Sequence, residues 1–247
     1  KSFYRLSNNR LLLCTNTELL EFSISDRKII KRITHSLMND VHHAIFYSNK
    51  YYIANTGRDS VLILDKHGKM IDEIELIDHL DSVKEKNISD RFGDVDYRLI
   101  PSTKPHLIHP NHIVEINNQV WVTRFMQKDI FNIKTSETIS IDVGNPHDGI
   151  NTEFGILTTT TNGNLHIVKN DSNIIIPIYK CENYTKYYSD LEMGWMRGVC
   201  PVSEEFFWLG FSVLRPTKSV EFLIEFKNKI LNKNFNKSAP TRIDLYS

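Results

Sequence analysis

Tyr51-Tyr52-Ile53-Ala54-Asn55-Thr56-Gly57-Arg58-Asp59-Ser60-Val61-Leu62-Ile63-Leu64-Asp65-Lys66-His67-Gly68-Lys69-Met70 contains two short apolar runs, 51–54 and 60–64. Each is rich in β-branched, aromatic or aliphatic residues and is closed by Asn, Gly or Asp. Such runs read as strands joined by tight turns, with Gly57 and Gly68 supplying the turn backbone.

The same order of runs recurs outward from this stretch. Runs corresponding to 51–54 lie at 11–14, 120–123, 155–158 and 206–209. A second run follows each, at 19–24, 129–133, 164–168 and 219–226, and a third at 29–33, 71–76, 138–143, 174–179 and 241–246. Another short run, such as 112–116, comes before each set. The unit is therefore four strands, and about five units fill the chain. One four-stranded unit cannot bury both of its faces. Several packed face to face around an axis can, whereas a β-sandwich leaves the repetition unexplained. The expected fold is all-β: a five-bladed β-propeller with four-stranded antiparallel blades, a single domain over residues 1–247.

The 51–70 unit resembles an NHL-type propeller repeat. The matching features are Thr56-Gly57 with the polar pair Arg58-Asp59 at the end of one strand, and the Asp65-x-x-Gly68 hairpin after the next. The resemblance implies architecture and carries no activity. Residues 77–108 break the rhythm with a polar stretch containing Pro101 and Pro105. A loop this long is uncommon without a role, and the reading is a lid over a site, with a short helix over 77–86.

Three histidines stand eight residues before the runs that begin at Tyr51, Val120 and Gly155: His43, His112 and His147. That register places them at the start of the innermost strand of successive blades. Three imidazoles with an open fourth position suit a catalytic divalent transition metal (Zn, Fe, Mn, Cu or Ni). Arg197, near the corresponding position of another unit, is the candidate for holding an anionic substrate group. Asp148 is a candidate general base, or a partner that orients a histidine. His42 and His109 lie beside the triad in sequence, and His106 and His109 sit on the inserted loop near the same mouth. Arg124 reads as a solvated turn cation, Trp121 and Trp208 as core, and Trp195 as part of a rim.

The 30 Lys+Arg balance the 30 Asp+Glu, so charge gives no argument for nucleic acid as a partner. No apolar run reaches the ~20 residues of a membrane span. Cys14, Cys181 and Cys200 are odd in number and lack metal-type spacing, which favours a reducing compartment and a cytoplasmic setting. The chain opens on Lys1 rather than Met, as expected of a piece with sequence upstream. Nucleotide-binding, hydrolase-elbow and His-Glu-x-x-His motifs are all lacking. The functional expectation is a metal-dependent lyase or hydrolase acting on a small polar or anionic substrate. The site resembles the peptide-amidating lyases in architecture and residue type, a propeller holding a metal through a few histidines. The alternative is a non-catalytic propeller that binds a protein or glycan partner through its blade-top loops.

Overall fold

The structure, a computed structural model, describes residues 2–79, 88–169, 172–182, 193–213 and 239–246. The chain divides into two compact units, 1–142 and 143–247. The fold class is the all-β, five-bladed propeller expected from the repeat, with three sheets in the first unit and two in the second.

In the first unit, sheet one runs β1 (Phe3–Ser7), β2 (Arg10–Cys14), β3 (Leu19–Ser23) and β4 (Lys28–Ile33). Sheet two runs β5 (Val41–Tyr47), β6 (Lys50–Asn55), β7 (Ser60–Asp65) and β8 (Met70–Glu75). Sheet three runs β9 (Pro110–Ile116), β10 (Gln119–Arg124), β11 (Asp129–Asn132) and β12 (Thr138–Ser140). In the second unit, sheet four runs β13 (Pro146–Thr152), β14 (Gly155–Thr160), β15 (Asn164–Lys169) and β16 (Ser172–Pro177). Sheet five shows, among the described residues, β17 (Trp195–Pro201), β18 (Phe207–Ser212) and β19 (Arg242–Tyr246). The strand expected over 219–226 lies outside the described residues. Sheets one to four are antiparallel meanders, because each connection within them is too short for a crossover, and the described strands of sheet five also pair antiparallel.

The quoted stretch folds as read. Asp65 Oδ1 accepts from the amides of His67 and Lys69, which closes the β7–β8 hairpin, and Gly68 takes a φ of +90° there. Val61, Leu62 and Leu64 are fully buried and Ile63 nearly so, because β7 packs on both faces. One face joins a core with Leu12, Leu19, Met38 and Ile53. The other joins a core with Ile108, Ile113, Val122 and Phe131. The second unit has its own core around Leu157, Leu165, Met196, Leu209 and Phe211.

The insertion is anchored on the first unit. Its described parts are short 3-10 turns at Leu76–His79 and Tyr97–Leu99 and a one-turn helix, α1 (Ile88–Phe92). The helix expected over 77–86 lies largely outside the described residues. Tyr97 is buried, and its amide donates to the Ser36 carbonyl at 2.7 Å. The Arg58 guanidinium lies 4.1 Å from the Tyr97 ring centre and forks onto Glu73 at 2.7 and 2.9 Å. Ser60 Oγ adds a third bond to Glu73.

Breaking one side of a buried ion pair leaves the other charge without compensation, which costs about 3–5 kcal/mol. Glu73→Ala is expected to lower the melting temperature by about 10 °C in a thermal denaturation scan. Double replacement of Arg58 and Glu73 by apolar residues should recover part of that loss. A Glu73→Ala protein as stable as the parent would show that the pair does not anchor the insertion.

Candidate functional site

The insertion, the β2–β3 turn and the segment leading into β5 line a cleft of about 500 Å³ within the first unit. Two residues fix its walls. Asn39 donates from Nδ2 to the carbonyls of Tyr97 and Ile100, at 2.7 and 2.8 Å. Gly57 runs so close to Asn39 that a Cβ added there would meet its backbone oxygen at 2.6 Å, so only glycine fits. Asp59, 3 % exposed, accepts from the amides of His109 and Leu107, both at 2.7 Å. Burial pushes the Asp59 carboxyl above the ordinary carboxylate range, against the pull of those amides and of His106.

These anchors gather histidines of the insertion. His106 Nδ1 and His109 Nδ1 are 2.9 Å apart, so a single proton is shared between them. Thr103 Oγ1 lies 3.1 Å from His106 Nε2. The ring of His42 meets that of His109 edge-on at 5.2 Å, and His42 Nδ1 donates to the Asp40 carbonyl at 2.8 Å. Burial, with the neighbouring His42 and His106, pushes His109 down to about 3. Burial also lowers His106, against the opposing pull of Asp59 and Asp40. Both rings are therefore neutral near pH 7 and able to pass a proton. The sequence placed His106 and His109 on the insertion, near the mouth of the triad's channel; the structure brings them against each other beside the cleft instead. The parts of Asp59 and Thr103 were not legible in the sequence, because Asp59 reads as an ordinary turn residue.

The predicted triad takes a different form. Gly155 opens β14 opposite Thr152, as Lys50 and Gln119 open their strands opposite Tyr47 and Ile116. Counted from these equivalent hairpins, His147 corresponds to His42 and Asn111, while His43 and His112 correspond to Asp148. The shared register of His43, His112 and His147 is thus off by one residue in the third member. The offset lies in the counting origin: Gly155 is the equivalent of Lys50 and Gln119, one residue before the equivalents of Tyr51 and Val120. A bulge recurs at corresponding places in these strands, between Val41 and His43, between Pro146 and Asp148, and between Met196 and Gly198. Sheet three shifts register opposite Val122 and Arg124. A bulge inserts one residue and turns the following side chain.

The residue after the bulge serves as a clamp between neighbouring sheets. His43 Nδ1 accepts the Ile113 amide at 3.1 Å, and Asp148 Oδ2 accepts the Val199 amide at 3.2 Å. A neutral His43 then carries its proton on Nε2 and has no lone pair left for a metal. His43 and His112 stack with ring centres 3.5 Å apart and planes at 12°, so their in-plane lone pairs run side by side rather than converging. Among the described residues, no group of three or more His, Cys, Asp or Glu is arranged to hold a metal ion.

Other expectations divide. The Arg197 guanidinium lies 4.7 Å from the Trp195 ring centre. Arg124 is a correction: it is 4 % exposed and forks onto Asp129 at 2.8 and 2.6 Å, so it is a buried structural cation rather than a solvated one. Trp121 is core at 8 % exposure, whereas Trp208 is 43 % exposed because it points away from the core face of β18. The three cysteines are all free thiols. Among the described residues, no helix is long and apolar enough to cross a membrane.

No family model matches the chain, and no curated protein does. Solved structures do. Virginiamycin B lyase from Staphylococcus aureus matches with a TM-score of 0.52 at 14% identity, over 84% of this chain and 61% of that one. A streptogramin B lyase matches with a TM-score of 0.53 at 12% identity, over 99% of this chain and 67% of that one. The WD40 β-propeller domain of Doa1 matches with a TM-score of 0.53 at 9% identity, over 83% of this chain and 58% of that one. The chain thus spans about 61% of the length of the staphylococcal lyase. Identities this low show the fold alone.

The depressed His109 gives a pH signature. A histidine held near 3 in the fold, against about 6.5 in the unfolded chain, binds fewer protons when folded. Its contribution to stability is whole above about pH 6.5 and is lost as pH falls toward 3. Between pH 7 and pH 5 the parent should lose about 2 kcal/mol relative to His109→Asn, which tolerates the left-handed backbone of that position. Urea denaturation of both proteins at the two pH values measures this. Equal losses would mean that His109 is not held neutral.

Proposed function

We propose that this chain is a propeller that takes a small polar molecule, bearing an anionic group, into the cleft lined by its insertion. The observation that carries the reading is the cleft itself. Its volume, about 500 Å³, lies within the size range of small-molecule sites. Its lining is mostly polar: Asn16, Asn39, Asp40, Arg98, Lys104 and His106 all contribute, beside Leu99, Ile100 and Pro101. Arg98 is committed to Asp96 through bonds of 2.9 and 2.6 Å. Lys104 makes no ion pair among the described residues and is the cation left to meet an anionic ligand.

Acid–base chemistry on the ligand is the enzymatic extension of this reading. A histidine kept neutral at the cleft wall is suited to accept a proton, which fits a lyase or a hydrolase. Two structural neighbours are lyases by name, which supports the enzyme class without fixing it. The divalent-metal version of the reading rested on His43, His112 and His147 and has lost the common register that motivated it. Its direct check is the transition-metal content of the purified protein by elemental analysis.

The binding claim is tested by isothermal titration with small carboxylates, inorganic phosphate and sulfate. Lys104→Ala is expected to weaken the best of these about tenfold, the value of one charge-assisted hydrogen bond near 1.4 kcal/mol. Failure of every probe to bind the parent, or equal affinity in parent and variant, would sink the reading.

A further inference from the structure

Thr103, His106 and His109 form a chain of three side chains with spacings of 3.1 and 2.9 Å; Thr103, 1 % exposed, and His106 line the cleft, and His109 stands behind them. These distances fall in the range that joins a nucleophile to its base and the base to the group that orients it. From this geometry we propose that Thr103 is an acylatable nucleophile, with His106 as its general base and His109 as the positioning residue that sets the His106 tautomer. The proposal rests on the cleft being the ligand site and adds a substrate class to it: a small ester, thioester or activated amide.

The proton positions follow from the partners. For His106 Nε2 to accept from the Thr103 hydroxyl, the His106 proton must sit on Nδ1 and be donated to His109 Nδ1. That requires a neutral His109 with its proton on Nε2: burial favours the neutral form, and acceptance from His106 at Nδ1 is what selects the tautomer. The backbone on either side is held as well. Asp59 binds the amides of Leu107 and His109, and Arg91 donates to the carbonyls of Thr103 and Pro105, each at 3.0 Å. The His106 ring is therefore fixed from both flanks before any ligand arrives.

The charges around His106 are Asp59 and Asp40, which favour its cationic form, and Lys104 and Arg91, which oppose it. His109 is faced by His42, His106, Asp40 and Lys104. When Thr103 Oγ attacks the acyl carbon, its proton passes to His106 Nε2, and the two carboxylates stabilise the imidazolium that results. The bond from the acyl carbon to the leaving group then breaks, and the departing oxygen, sulfur or nitrogen takes that proton. In the second half a water adds to the acyl carbon and gives a proton to Nε2. The Oγ–acyl bond breaks, and Oγ recovers the proton. No electron donor or acceptor is needed, and the protein ends as it began.

The test uses p-nitrophenyl acetate with the whole chain, reading p-nitrophenolate release by absorbance and acetyl-Thr103 by peptide mass spectrometry. The expected result is a release burst with the acetyl group on Thr103. Thr103→Val, which keeps the shape of the side chain, should lose the burst and the label. Thr103→Ser should keep both. His106→Gln should slow acylation at least about 100-fold. His109→Leu should slow it and move the midpoint of its pH profile, while His109→Asn, which retains an oxygen acceptor, should restore much of the rate. An acetyl group found only on lysines or histidines, or an unchanged burst in Thr103→Val, overturns the proposal. Retained anion binding in a parent that is not acylated at Thr103 overturns the nucleophile and leaves the cleft standing as a ligand site. Acylation at Thr103 without anion binding supports the relay and removes the anionic-ligand reading.

Discussion

One buried carboxylate ties the insertion to the sheet beneath it. Asp59 sits in a left-handed turn, φ +51°, between β6 and β7, and its side chain receives the amides of both Leu107 and His109. A carboxylate removed from water at 3 % exposure is costly unless its lone pairs are satisfied, and here the satisfying donors belong to the insertion. The core of sheets two and three and the geometry of the cleft wall are thus coupled through one side chain. The Leu76 amide donates to the Asp59 carbonyl at 3.1 Å, so the entry to the insertion depends on the same residue as its exit.

The second organising feature is the bulge in the first strand of sheets two to five. A bulge leaves the hairpin register intact on one side and shifts it by one on the other, so side chains before and after it change roles. The residue that follows becomes a link to the next sheet, whether it is His43 or Asp148, because both present an acceptor to a backbone amide. An imidazole nitrogen and a carboxylate oxygen are interchangeable in that role, although their metal chemistry differs. A recurrent histidine in a repeat is accounted for here by hydrogen-bond satisfaction between sheets. The chemically open histidines are those of the insertion, which lie outside the repeat.

Strand content, the repeat of four-strand units and the Asp65–Gly68 hairpin follow from local rules. Alternation, β-branched content and turn residues act over a few positions, so the sequence by itself determined the propeller class and the place where the insertion interrupts it. The buried Arg124–Asp129 pair and the exposed Trp208 were not readable, because burial depends on which face of a strand meets a neighbour. Strand register was likewise beyond local reading: only the hairpin pairing shows that Gly155 matches Lys50 and Gln119 rather than Tyr51 and Val120, which puts His147 one residue out of line with His43 and His112. Only the tertiary structure brought Thr103, His106, His109 and Asp59 together. Asp59 is separated from His109 by 50 residues, and it is the desolvation of a carboxylate, not any sequence pattern, that draws those amides to it.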